Sequence, residues 1–212
     1  MAAILDQLRL VIEQVIRTMG YPGISLLMLV ENLFPPIPSE VVMPFAGFLV
    51  NEGDMSFILV LIAGTIGAGL GAIAIYFVGT IVTEHQTRAW IERNGKWFLM
   101  SVEDYDRASQ SFDKYGNIMI LAGRLIPGVR SLISLPAGLK RMNFLVFAGL
   151  TLIGTILWNG VLITGGFILG RNWQMILSFL DTYELIVWVT AGLLLFIYIF
   201  RRVFQLVPIR DE

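Results

Sequence analysis

The chain has 212 residues, 56% hydrophobic and only 15% charged, with mean hydropathy +0.75 and a formal charge of −1. Soluble domains carry about 25% charged residues, so this composition excludes a water-soluble globule and a disordered chain. Cys is absent, which excludes a disulfide scaffold and Cys-based metal or nucleophilic centres, and the near-neutral charge leaves no basic footprint for nucleic acid. An integral membrane protein of all-α class is expected.

At the start of the chain, Ile4, Leu5, Leu8, Val11, Ile12, Val15, Ile16 and Met19 share one helical face, with Asp6, Arg9, Glu13 and Arg17 elsewhere. That pattern predicts an amphipathic surface helix rather than a signal peptide, because Asp6 and Arg9 interrupt any apolar core. Residues 18–51 then hold two charges in 34 positions, Glu31 and Glu40. Pro35, Pro36 and Pro38 break this stretch, since proline lacks a backbone donor and clashes with the preceding turn. Each arm is too short to cross the roughly 30 Å hydrocarbon layer as helix. A re-entrant hairpin over 20–50 is therefore expected, with Pro35, Pro36, Pro38 and Ser39 at its tip.

Between Asp54 and Glu84 lie 29 uncharged residues, predicting a span near 56–79. Residues 84–114 are the most polar stretch: Asn94-Gly95 marks a turn, and Ser101 with Asp104 resembles a capping box opening a second surface helix. A second re-entrant hairpin is expected over 115–139, broken at Pro127-Gly128. Another 29 uncharged residues between Arg141 and Arg171 predict a span at 143–170. A last span is expected at 182–204, with Arg201 and Arg202 snorkelling at its end.

The order surface helix, hairpin, span thus occurs twice, over 3–79 and 84–170. Ile37-Pro38-Ser39-Glu40 with Ala46-Gly47 echoes Ile126-Pro127-Gly128 and Arg130 with Ala137-Gly138; Ile66-Gly67 echoes Ile153-Gly154. One span separates the hairpins, so they enter from opposite faces, as in the inverted repeats of secondary transporters. The whole chain reads as one transmembrane domain, two unrelated loops being the simpler alternative. Ten Lys and Arg flank the spans on the side of 80–142 and the C-terminus, against Arg9, Arg17 and Arg171 on the other. The positive-inside rule puts the C-terminus in the cytoplasm, with hairpin one opening outward and hairpin two inward.

Glu31, Glu40, Arg124 and Arg130 lie where a charge costs roughly 2.5–3.5 kcal/mol on the mildest scale. On continuous helices each pair would diverge, but the proline breaks allow all four to face one cavity. Guanidinium groups bind phosphate through paired donors, and a buried carboxylate can exchange a proton. The set therefore points to an anionic lipid headgroup as substrate, held by Arg124 and Arg130, with proton coupling through Glu31 and Glu40. Internal salt bridges that lock the hairpins are the structural alternative, and the two roles can coexist.

Other features carry less. Gly67, Gly69 and Gly71 imitate a nucleotide loop but lie within an apolar span, where small-residue packing explains them, as it does Gly166-xxx-Gly170. His85, the single histidine, sits in the polar segment, so a His-based phosphatase or zinc centre is hard to assemble. No metal or cofactor is expected, nor is an enzyme. Trp90, Trp97, Tyr105, Tyr115, Trp173 and Tyr183 flank spans as interfacial anchors do, and Asn159 beside Trp158 faces either a hairpin or a neighbouring helix.

The stretch Glu31-Asn32-Leu33-Phe34-Pro35-Pro36-Ile37-Pro38-Ser39-Glu40 with Ala46-Gly47 resembles the DedA family of SNARE-associated, VTT-domain membrane proteins. So do Phe112-Asp113-Lys114-Tyr115-Gly116 and Gly123-Arg124-Leu125-Ile126-Pro127-Gly128-Val129-Arg130-Ser131 with Ala137-Gly138. The resemblance spans about 20–170. It implies two re-entrant hairpins in an inverted repeat, and lipid translocation across the inner membrane, notably the return of undecaprenyl phosphate. The family's acidic and arginine positions fall on Glu31, Glu40, Arg124 and Arg130. The leading expectation is a proton-linked polyprenyl phosphate transporter that recycles the carrier lipid. A phospholipid flippase or scramblase, a lipid phosphatase and a non-transporting assembly protein are the alternatives, and oligomeric state is left open.

Overall fold

The computed structural model describes residues 2–33, 39–94, 102–127, 129–173 and 175. The described residues form helices: α1 (Ala2–Met19), α2 (Tyr21–Leu33), α3 (Ser39–Asn51), α4 (Phe57–Ile81), α5 (Glu84–Asn94), α6 (Val102–Gly123), α7 (Val129–Leu132), α8 (Ser134–Leu139) and α9 (Phe144–Leu169). A short 3-10 turn, Gly170–Asn172, follows. The expected span at 182–204 lies outside these residues, as do Gly95, Trp97, Ser101, Tyr183 and the tip residues Pro35, Pro36, Pro38 and Gly128.

Local chemistry sets several boundaries. Gly20 adopts φ +63° and separates α1 from α2. Asn143 caps α9, its Oδ1 accepting from the amides of Leu145 (3.0 Å) and Val146 (3.2 Å). Gly170 ends α9 at φ +50° and, like Gly166, is buried against α3.

Helices α4 and α9 match the spans expected at 56–79 and 143–170, and both are long and apolar enough to cross a bilayer. Their patterning is the reverse of a soluble core helix. Gly64, Gly67, Ala68, Gly71 and Ala72 of α4 are buried, whereas Ile58, Ile62, Ile66, Leu70 and Ile81 are exposed. On α9 Gly154, Thr155 and Asn159 are buried, while Leu145, Ile153, Val161 and Ile168 are exposed. Large apolar side chains facing out and small residues facing in suit lipid as the solvent. The chain is a membrane protein.

The two long helices run antiparallel. Arg171, beyond the end of α9, lies 3.6 Å from Glu52, just before α4. At the opposite end Tyr76 stacks on Phe147 (centroids 4.6 Å) and Phe77 on Phe144 (5.6 Å). Helix α2 packs along α4: Ser25 donates to the Ala63 carbonyl (2.7 Å), and Gly71 leaves room for Asn32. The start of α2 stays at the Glu52 end, where the Ser56 amide donates to the Tyr21 hydroxyl (2.9 Å). The C-terminal end of α3 is at that end too, with Asn51 beside Gly170.

The later helices exchange partners. Helix α3 packs on α9: a Cβ on Gly47 would fall 2.2 Å from the Ile163 carbonyl oxygen, and one on Gly166 2.0 Å from that of Pro44. Helix α8 packs on α4 in the same fashion, with Gly138 facing the Tyr76 carbonyl (2.0 Å) and Gly79 that of Leu135 (2.5 Å). Only glycine permits these backbone approaches. Helix α6 packs on α9, where Gly154 admits the Arg124 stem.

Three expectations are modified. Helix α6 runs unbroken through 102–123, joining the end of the expected surface helix to the first arm of the stretch 115–139. In α1, Ile12 and Ile16 enter the core, while Val11 and Met19 are exposed, so the packed face is narrower than the apolar pattern. Trp173 is buried against Phe45 (5.5 Å) rather than projecting as an interfacial anchor; Trp90 and Tyr115 are exposed.

Candidate functional site

Glu31 closes α2, Glu40 opens α3, Arg124 follows α6 and Arg130 lies in α7. Each therefore stands where an apolar helix ends or begins, and all four are buried, with 2–6% of their surface exposed. Arg130 Nη2 donates to Glu31 Oε1 at 2.5 Å and lies 3.6 Å from Glu40 Oε1. One guanidinium thus serves both carboxylates.

Arg124 is held differently. Its Nη2 donates to Ser134 Oγ (2.5 Å) and its Nη1 to Asn32 Oδ1 (3.4 Å). Asn32 Nδ2 in turn donates to Glu31 Oε2 (3.2 Å) and the Met28 carbonyl (3.4 Å). A chain of contacts runs from Ser134 through Arg124, Asn32 and Glu31 to Arg130. With Glu40 added through its ion pair to Arg130, it links α2 and α3 to the segments around α6, α7 and α8, and two arginines face two carboxylates.

The sequence-predicted quartet is therefore brought together, and the expected tip residues Ser39 and Pro127 are buried. Ser134 and the bridging role of Asn32 were not foreseen. Asn32 had a signal, a carboxamide next to a glutamate within an apolar stretch. A serine carries almost none, because one hydroxyl in an apolar run costs little.

Beside the quartet is a cavity of about 10 Å³, lined by Met28, Asn32, Ala68, Arg124, Arg130, Thr155, Trp158 and Asn159. The Arg130 guanidinium lies 5.9 Å from the Trp158 ring centre, within cation–π range. A separate opening of about 410 Å³ lies along Phe112–Ile118, Lys140 and Met142, where Lys140 pairs with Asp113 (2.9 Å). No group of three His, Cys, Asp or Glu side chains able to hold a metal occurs among the described residues.

Residues 37–180 match the model of the VTT domain, more than half of the chain. The chain belongs to the VTT-domain family, the DedA proteins. Among relatives of this VTT-domain protein, undecaprenyl phosphate transporter A of Staphylococcus aureus is 36% identical over 84% of this chain and 88% of its own. The protein of that name from Bacillus subtilis is 34% identical over 85% and 87%. A Lactococcus lactis protein named alkaline phosphatase-like is 40% identical over 92% and 93%. No solved structure matches this VTT-domain protein.

Proposed function

We propose that this protein is a transporter of a lipid phosphate, with polyprenyl phosphate as substrate and protons as the coupling ion, in the cytoplasmic membrane. The observation that carries the reading is the burial of two arginines and two carboxylates together at the ends of apolar helices. The two relatives named undecaprenyl phosphate transporter A support the substrate class.

In this reading α2 with α3, and α6 with α7 and α8, are re-entrant hairpins, and the units 3–79 and 84–170 form an inverted repeat within one transmembrane domain. The reciprocal pairing of α3 with α9 and α8 with α4 supports it, as does the placement of both outer ends of α2 and α3 at the Glu52 end of the spans. The C-terminus is cytoplasmic. Arg124 and Arg130 receive the phosphate. Because Arg130 is shared by Glu31 and Glu40, an arriving phosphate competes with them for the same donors. A carboxylate that loses its arginine takes up a proton, so substrate binding and proton uptake are linked.

The test is lipid co-purification in mild detergent, with mass spectrometry of wild type against Arg124→Ala. A phosphorylated isoprenoid enriched with wild type and lost from the variant is the expected result. Enrichment of glycerophospholipid instead points to a flippase or scramblase, and no enriched lipid to an assembly protein.

A further inference from the structure

Asn159 lies in the middle of α9 with no solvent exposure, yet neither its Oδ1 nor its Nδ2 has a hydrogen-bond partner among the described residues. The neighbouring Trp158 Nε1 is likewise unpartnered, as are the Nε atoms of Arg124 and Arg130. All four residues line the 10 Å³ cavity beside the quartet. Leaving one buried polar group unsatisfied costs about 1–3 kcal/mol, so five such atoms on residues lining one space call for a polar partner there.

The chemistry of the five atoms is uneven. Four are N–H donors and one, Asn159 Oδ1, is an acceptor. Donors from two cations, an indole and an amide suit the oxygens of an oxyanion. The lone acceptor needs a donor on the same ligand, which a phosphomonoester monoanion supplies as P–OH and a phosphodiester lacks. The cavity holds about one water at this size, so the arms around it must separate as the headgroup enters.

We propose that Asn159 and Trp158 complete the headgroup site, and that Asn159 distinguishes a phosphomonoester from a phosphodiester by pairing with both P–O and P–OH. This rests on the lipid phosphate reading above. Trp158 donates to an oxygen that both ester types possess, so it adds affinity without that discrimination.

The experiment measures binding of a short-chain polyprenyl monophosphate and its methyl phosphodiester to the full chain in nanodiscs, for wild type, Asn159→Leu, Trp158→Phe and Arg130→Lys. Asn159→Leu loses two hydrogen bonds to the monophosphate but only one, from Nδ2 to P–O, to the diester, so monophosphate affinity should fall at least about tenfold and by a clearly larger factor than diester affinity. Trp158→Phe weakens both probes alike. The melting temperature of Asn159→Leu stays at or above wild type, because an apolar side chain replaces unsatisfied atoms. Wild-type monophosphate affinity in Asn159→Leu overturns the proposal, since the carboxamide then holds only a water. A melting temperature lowered by several degrees overturns it too, because the group then already has partners in the ligand-free protein. If Arg130→Lys also binds both probes as wild type does, the headgroup reading itself fails; if it weakens them while Asn159→Leu does not, only this inference fails.

Discussion

At the residue scale the cluster is asymmetric, because Arg130 faces two carboxylates while Arg124 faces the neutral Asn32 and Ser134. Removing Arg130 strands two buried acids, and breaking a buried pair in this way costs about 3–5 kcal/mol. Arg130→Ala is therefore expected to lower the melting temperature in detergent sharply, with partial recovery when Glu31→Gln is added. Wild-type stability in Arg130→Ala means that these acids have other support. Arg→Lys at 124 or 130 keeps the charge but loses the planar fork, so lipid transport should fall at both positions. For pH the sign follows from competition at Arg130: headgroup affinity should rise as pH falls, while the phosphate stays ionised, and Glu31→Gln and Glu40→Gln should flatten that dependence. Superimposed curves for all three proteins, measured in nanodiscs, remove the carboxylates from coupling. The four charged positions were legible in the sequence because charge in an apolar run is expensive. Which partner each one takes was not, since Glu31 and Arg130 lie 99 residues apart and meet only through tertiary packing.

At the scale of elements, spacing between charges located α4 and α9, and the prolines separated α2 from α3. In α6 the change from polar to apolar composition near residue 115 marks no boundary. Helical geometry continues through 102–123 regardless, with the polar half ending in the Lys140–Asp113 pairing and the apolar half at Arg124. The glycine contacts give an element-scale prediction. Gly47→Ala and Gly138→Ala place a methyl about 2 Å from a carbonyl oxygen and should destabilise by the roughly 1–3 kcal/mol typical of overpacking, or more. Gly160→Ala, with nothing within 4 Å, is the control and should melt close to wild type. Equal melting temperatures for all three variants mean that these helices are not pressed backbone to backbone.

For the whole molecule, the antiparallel arrangement of α4 and α9 puts Glu52 and Arg171 together at one end, and Tyr76 with Phe147 toward the other. The chain has no Cys, so single cysteines can be introduced without a background. A Cys at Glu52 should label from outside the cell and one at Gln86 only from the cytoplasm. Labelling of both from the same face removes the assigned orientation. Both substitutions leave the buried cluster intact, so transport can be measured in the same variants.

The exchanged partners also impose an order in time. Pro44 rests against Gly166, about 120 residues later in the chain. At about 5–20 residues per second of synthesis, α3 waits on the order of 6–24 s for the helix that covers its glycine face. For the first part of that interval Glu31 and Glu40 also lack Arg130, so a nascent chain halted before α6 holds two acids in apolar stretches without the arginine that pairs them. The second half thus supplies both the helix that covers α3 and the cation that pairs the two acids of the first half.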